Sequence, residues 1–351
     1  MASPFDAFVT TVTQDHLLPK VVDNILNSNV ATVRWLSRGR PWMGETLRIP
    51  IKYQKSTSGG AFGLGDTFVT AKVNTRQRLS FDPKFFYQSV TLFGPEVDVN
   101  AISESQVINI ITTEMESSMQ DAMDSVGTLF YGTETGNNFQ GIQGIVDDGT
   151  FQATYGGQTR SSNTHLNSDV TTVSGPITLA IMADKQSDAK RGSQKPTLIV
   201  TTEAVWDDVE ALIQPVLSAN YSVQGPHKVT RDAVVAPGQA LGPGQVGFDA
   251  IMHRGTPVVA DEKCNSGEMY FINENFLQWY GLKSVWAKPI KLASSTIEGY
   301  YSADVPSESH GFHWTDFKEP TNQYARTGQI LLLGNLISGG PRYSSKAESL
   351  T

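Results

Sequence analysis

Thiols are almost missing from this chain: Cys264 is the single cysteine in 351 residues. That excludes an intramolecular disulfide framework and any zinc site built mainly on thiolates, and it fits assembly in a reducing compartment. Charge is scarce as well. Asp, Glu, Lys and Arg make up 18% of the residues, against about 25% in an ordinary globular domain. Interface cores are depleted in charge, so one reading is that much of the surface meets other protein. The other is a loop-rich surface of Ser, Thr, Asn and Gln. Long apolar runs are missing too: the longest, around Ile330 to Leu333, is far too short to span a bilayer. Met1 is followed by no basic region and apolar core, and the first basic residue is Lys20, so neither a secretory leader nor a membrane partner is expected. The net charge of −8 carries no long basic run. The densest cluster, Lys185 to Lys195, is diluted by Asp184 and Asp188; it reads as a solvated helix end rather than the footprint of a DNA reader.

What is present is mixed secondary-structure signal. Leu18, Val21, Val22, Ile25 and Leu26 form a helical stripe with Pro19 suited to its first turn, inside an arm of about 40 residues. Leu47, Ile49, Ile51 and Tyr53 alternate with polar neighbours, and so do Val69, Ala71 and Val73. Between them lies YQKSTSGGAFGLGDTFV, the flexible tip of a hairpin. Phe81, Phe85, Phe86 and Tyr87 suggest where this hairpin rejoins a core. Apolar residues from Val107 to Phe130 recur every three or four positions, with Ser103 and Gln106 as a capping box and Gly132 as a closing glycine. Such a helix would be about 40 Å long. Residues 132 to 175 turn to Gly, Ser, Thr and Asn, a weakly structured stretch. A short helix after Pro176, a buried strand TLIVT and a helix through Val205, Trp206, Val209, Leu212 and Ile213 follow. After a Pro/Gly segment at 236 to 247 come FDAIMHRGTPVVAD and GEMYFINENFLQWYG, then an alternating stretch at 285 to 304. QILLLGNLI and a polar tail beyond Pro341 end the chain. Helices and strands mix without regular βαβ alternation, which predicts an α+β fold.

Catalytic motifs fail one by one. Gly59, Gly60, Gly63 and Gly65 form neither a phosphate loop nor a dinucleotide fingerprint. His310 and His313 with Asp316 mimic metal-ligand spacing, but Gly311 and its neighbours argue against the helix that would align them. Cys264 sits between Asp261, Glu262 and Lys263 without an identifiable base, and reads as an incidental loop thiol. Asp207, Asp208 and Glu210 read as a solvated helix face, and the sequon at Asn220, Tyr221 and Ser222 means nothing without a secretory signal. No cofactor and no enzymatic activity are expected.

The order of elements carries more than any motif. QVINIITTEMESSMQDAMDSVGTLFYG, PTLIVTTEAVWDDVEAL, FDAIMHRGTPVVADEKCNSGEMYFINENFLQWY and QYARTGQILLLGNLISGGPR together resemble the major capsid proteins of tailed bacteriophages, which have the Hong Kong 97-type fold. The resemblance implies an N-terminal arm at 1–44, an extended β-hairpin loop at 45–92, a peripheral domain with a spine helix at 93–135, an axial domain at 136–290, and a return to the peripheral domain with a C-terminal tail at 291–351. It implies a homo-oligomer of pentamers and hexamers forming the icosahedral shell of a virion, assembled in the host cytoplasm around non-specifically held double-stranded DNA. A separate scaffolding protein and a portal are implied partners. The residues expected to make inter-subunit contacts are Tyr53, Lys55, Phe62, Leu64 and Phe68 on the loop and Leu18 and Val22 on the arm. Some relatives cross-link through a loop lysine, a place that Lys52 or Lys55 would take here; the partner Asn and the catalytic Glu have no match, so both read as ordinary surface lysines. The alternatives are an encapsulin-like compartment around an enzyme, and a metal-dependent hydrolase or ligand-binding protein built on His310, His313 and Asp316.

Overall fold

The computed structural model describes residues 30–68, 70–102, 110–220, 250–289 and 311–351. In chain order its elements begin with α1 (Val30–Ser37), β1 (Arg40–Pro41), β2 (Leu47–Lys52), β3 (Arg76–Phe81), β4 (Lys84–Phe93), α2 (Gly94–Ile102), α3 (Ile110–Phe130) and the single turn α4 (Ile142–Ile145). Next come β5 (Thr154–Tyr155), β6 (Gln158–Thr159), β7 (Asp169–Gly175), α5 (Leu179–Ala189), β8 (Leu198–Thr201) and α6 (Glu203–Asn220). The last are β9 (Ala250–His253), β10 (Thr256–Ala260), β11 (Met269–Ile272), β12 (Leu277–Gly281), β13 (Lys288–Pro289), β14 (His313–Lys318), β15 (Ala325–Ser338) and β16 (Ser345–Leu350). The mixture is α+β, as the sequence predicts. The stripe at Leu18 to Leu26, the capping box at Ser103 and Gln106, and the segment 236–247 lie outside the described residues, as do Leu18, Val22, Val69 and His310.

Two sheets organise the body. In the first, the 14-residue β15 pairs antiparallel with β4 over Ala325 to Gly334, with β14, and near its end with β12, which pairs in turn with β1. The second runs β7-β16-β11-β8-β10-β9. Its strands show period-2 alternation between two cores. Leu198, Val200, Tyr270 and Ile272 face a large core with α1 and α3, whereas Ile199, Met269 and Phe271 face a smaller one with α5 and α6. The α3 stripe is where its spacing puts it: Met119, Ala122, Met123, Val126 and Phe130 are buried. Phe130 and Phe139 both meet Trp279, each at 5.3 Å between ring centroids.

Several expectations need correction. The described part of α3 has 21 residues, about 31 Å; the expected first turns, at 103–109, lie outside the described residues. Gly132 does not close it in a left-handed conformation. Instead Tyr131 and Gly132 donate back three residues, to the carbonyls of Thr128 and Leu129, so the last turn tightens. The second hairpin strand does not include Ala71 or Val73 but runs at Arg76–Phe81, in register with β2 from Leu47↔Phe81 to Lys52↔Arg76. Ala71 is exposed and Val73 only half-buried. The polar tail is a strand: β16 lies between β7 and β11, and its Lys346, fully buried, sits 2.9 Å from Glu348 and 3.4 Å from Glu268. Lys185 is not solvated but buried against Asp169 and Asp188.

The polar stretch 132–175 is ordered by this chain itself. Arg160 is fully buried and donates to the backbone carbonyls of Gly144, Ile145, Asp147 and Leu166. The Asp147 carboxylate accepts from the amides of Gly149 and Gln152, both at 2.9 Å. Burial holds the Arg160 guanidinium below its ordinary pKa, opposed by the Asp147 charge. One side chain thus gathers four carbonyls, of which that of Asp147 also accepts from the Ser168 amide at 3.0 Å. Replacing it removes these bonds. Arg160→Met is expected to cost about 3 kcal/mol or more, read as a lowered denaturation midpoint; an unchanged midpoint would show that water replaces the guanidinium.

Candidate assembly interface

The β2/β3 hairpin leaves the body with its two faces treated differently. Leu47, Ile49 and Ile51 pair with Phe81, Leu79 and Gln77 on the inner face and pack toward the large core. Arg48, Pro50 and Lys52 pair with Ser80, Arg78 and Arg76 on the outer face, and all but Ser80 are exposed. The base is clamped. Leu79 is fully buried and Phe81 meets the Tyr155 ring edge-on at 5.2 Å. The Gln77 side-chain amide donates to Gln158 Oε1 at 2.7 Å and to Asn163 Oδ1 at 3.0 Å. The clamp uses the β5–β6 turn, where Gly156 and Gly157 have φ of +55° and +74°, the left-handed pair that a tight hairpin turn demands. The Gly156 carbonyl accepts from the Ser80 amide at 3.0 Å, and a Cβ on Gly156 would come within 2.9 Å of Leu79 and Phe81 side chains.

Beyond Tyr53 the hairpin turns away from its own body. Among the described residues, the hydrogen bonds of residues 54–75 are local: Asp66 accepts from the Gly63 amide, Gln54 donates to Asn74 O, and Ser56 meets Ser58. Phe62 and Phe68 sit edge-to-face at 5.1 Å yet are each 69% exposed, and Leu64 is fully exposed. Of the residues expected to make contacts, these three therefore gather at one tip. Lys55 is exposed nearby, without an ion pair among the described residues. Tyr53 differs: its ring stacks on His165 of the same chain at 5.1 Å and its hydroxyl donates to Asn74 O at 3.0 Å. It anchors the root of the tip.

A second exposed surface escaped the sequence reading. The aromatic run at 81–87 does not rejoin the core as a unit, because strand alternation splits it. Phe81 is buried, whereas Phe85 and Tyr87 are 60% and 66% exposed on the outer face of β4, beside Leu333 and Leu331 of β15. Tyr324 and Phe317 line a separate groove of about 340 Å³ at the end of β4 and β15. There the Tyr324 hydroxyl donates to Asp98 at 2.7 Å, which raises the phenol pKa and keeps the hydroxyl protonated.

Among the described residues the catalytic candidates do not assemble; His310 lies outside them. His313 is buried, its pKa held down by desolvation, and Nε2 accepts from the Ser284 amide at 3.5 Å. Asp316 is exposed and paired with Lys288 at 2.7 Å. No group of three His, Cys, Asp or Glu able to hold a metal is found among the described residues. Asp207, Asp208 and Glu210 are solvent-facing on α6. Cys264 lies in the loop between β10 and β11, as expected, and is buried there; desolvation with Asp261 and Glu268 nearby pushes its pKa well up.

No protein-family model matches the sequence, and no curated protein matches it either. Solved structures do match. The capsid protein in the cyanophage A-1(L) asymmetric unit superposes with a TM-score of 0.70 at 14% identity, covering 99% of this chain and 100% of that one. The capsid of Myoviridae phage XM1 gives 0.57 at 10% identity, with both chains covered completely. An encapsulin of Synechococcus elongatus gives 0.52 at 10% identity, over 100% of this chain and 96% of that one. Likeness over whole chains shows the fold: it is the Hong Kong 97-type capsid fold.

The thiol supplies a check on the non-catalytic reading. Native protein is expected to leave Cys264 unmodified by a thiol reagent such as DTNB at pH 8, with full reaction only after denaturation. Fast labelling of the native protein would contradict the burial described here.

Proposed function

We propose that this chain is the major capsid subunit of a tailed phage, a structural protein that assembles with copies of itself into an icosahedral shell around double-stranded DNA. One observation carries the reading: a β-ribbon clamped to the body at its base presents Phe62, Leu64 and Phe68 to water at its tip. A two-stranded ribbon is marginal in water without a covering layer. Burying each of three such side chains on a neighbour is worth about 1.5–3 kcal/mol. In a closed ring every copy both gives and receives that contact, so weak pair interfaces add up to a durable shell.

The resemblance in element order and the whole-length match to phage capsid chains support the same reading. On it, residues 1–44 form the arm, 45–92 the extended loop, 93–135 the peripheral domain built on α3, and 136–290 the axial domain. Residues 291–351 return to the peripheral domain through β15, with β16 tying the chain end into the second sheet. Packaged DNA brings its own counterions, so a chain of net charge −8 is compatible with enclosing it. Particles form in the host cytoplasm and the protein resides in the virion. The encapsulin match at TM-score 0.52 favours a second reading, an enzyme-filled compartment; co-purifying cargo protein in place of nucleic acid would select it.

Negative-stain microscopy and sedimentation of the purified protein test the proposal. Closed isometric particles are expected from the intact chain, and deletion of residues 58–67 is expected to leave folded subunits that do not assemble. A chain that stays monomeric at every concentration, or a deletion that assembles as well as the parent, would contradict it.

A further inference from the structure

The total charge hides a sharp segregation. Between residues 48 and 78 there are six Lys or Arg and a single Asp, so the hairpin and its tip carry +5 while the remainder of the chain carries −13. Four of the cations, Arg48, Lys52, Arg76 and Arg78, lie on the exposed outer face of the β2/β3 ribbon. None of the six makes an ion pair among the described residues. Six uncompensated cations on one projecting element are a surface that the fold of a single copy leaves unmatched.

A matching surface exists on the same chain. Helix α6 contains no Lys, Arg or His, and Glu203, Asp207, Asp208 and Glu210 are all exposed on it. Glu203 lies in the first turn, where the helix dipole alone favours a carboxylate; Asp207, Asp208 and Glu210 lie beyond it, and the dipole does not account for them. Glu203, Asp207 and Asp208 make no ion pair among the described residues. The small exposed residues Ala204 and Ala211 keep the face low, so a ribbon can lie against it. Lengths agree as well. Arg48 to Lys52 spans about 13 Å of strand, and Glu203 to Glu210 spans about 10 Å of helix.

We propose that the basic outer face of the hairpin docks on the acidic face of α6 in a second copy of this chain. The inference rests on the shell reading above and deepens it by naming the surface that receives the hairpin. Single exposed ion pairs contribute little. A ribbon that covers the helix excludes water from several pairs at once, and arginines can meet carboxylates with two parallel hydrogen bonds. The contact is therefore sensitive to salt, and it sets which surfaces meet as well as how firmly. The apolar tip adds burial once the ribbon is aligned.

Charge reversal tests it, with the assembly of the parent chain established first; failure of the parent to assemble counts against the shell reading itself. Two double variants are made, Arg76→Glu with Arg78→Glu, and Asp207→Lys with Asp208→Lys. Each is expected to raise the subunit concentration needed for particles by at least about tenfold near 0.1 M salt, with the thermal melt of the unassembled subunit unchanged. The quadruple variant, which swaps both faces in every copy, is expected to return to within about threefold of the parent. Four results would overturn the proposal. Assembly could be indifferent to the hairpin reversal, or the quadruple variant could be as defective as either double. Particles of the hairpin variant could also form normally but lose nucleic acid, which would place the cations against phosphate instead. A rescue obtained with Glu114→Lys and Asp121→Lys on α3, and not with the α6 pair, would assign the hairpin to a different surface and overturn it equally.

Discussion

A two-stranded ribbon has no way to bury both of its faces by itself, and that constraint shapes this protein from its sequence upward. The inner face of β2/β3 uses the body: Leu79 and Phe81 are buried beside Tyr155, and Gln77 is held by Gln158 and Asn163. The outer face and the tip have no such cover. Apolar burial stabilises by about 25 cal/mol per Å², so a ribbon with three exposed large side chains at its end stays incomplete until something lies against it.

The rest of the fold makes the root of that ribbon stiff. Arg160 gathers four carbonyls of a segment with little regular structure, and this positions the β5–β6 turn whose Gly156 carbonyl holds Ser80. Tyr53 stacks on His165 at the point where pairing ends. The aromatic cluster of Phe130, Phe139 and Trp279 fixes α3 on the first sheet, and β16 closes the second. A stiff root with an uncommitted tip lowers the ordering cost of a contact made far from the body, because less of the chain must be immobilised when the contact forms.

Much of this was legible in the sequence where composition and period agree. The α3 stripe from Met119 to Phe130, the TLIVT strand and the alternation of Leu47, Ile49 and Ile51 all appear as the pattern implies. Misreadings cluster where polar groups do structural work. RQRLSF and SKAESL look like surface, yet the first is the partner strand of the ribbon and the second is buried through the pairing of Lys346 with Glu268 and Glu348. Arg160 belongs to no motif, and nothing local announces that it will be enclosed by carbonyls distant in the chain. The tip residues Phe62, Leu64 and Phe68 were legible because apolar side chains in a glycine-rich run have few local partners. The basic face was not, because its cations are spread over thirty positions and come together only when the strands pair.

A ribbon finished by a neighbour differs from a self-sufficient one in its amide protection, and hydrogen exchange measures that directly. Amides of residues 53–75 are predicted to exchange rapidly in dissociated subunits, since few of them are hydrogen-bonded, and to slow by about a hundredfold or more in assembled particles. Protection already present in the lone subunit, or exchange unchanged by assembly, would contradict it.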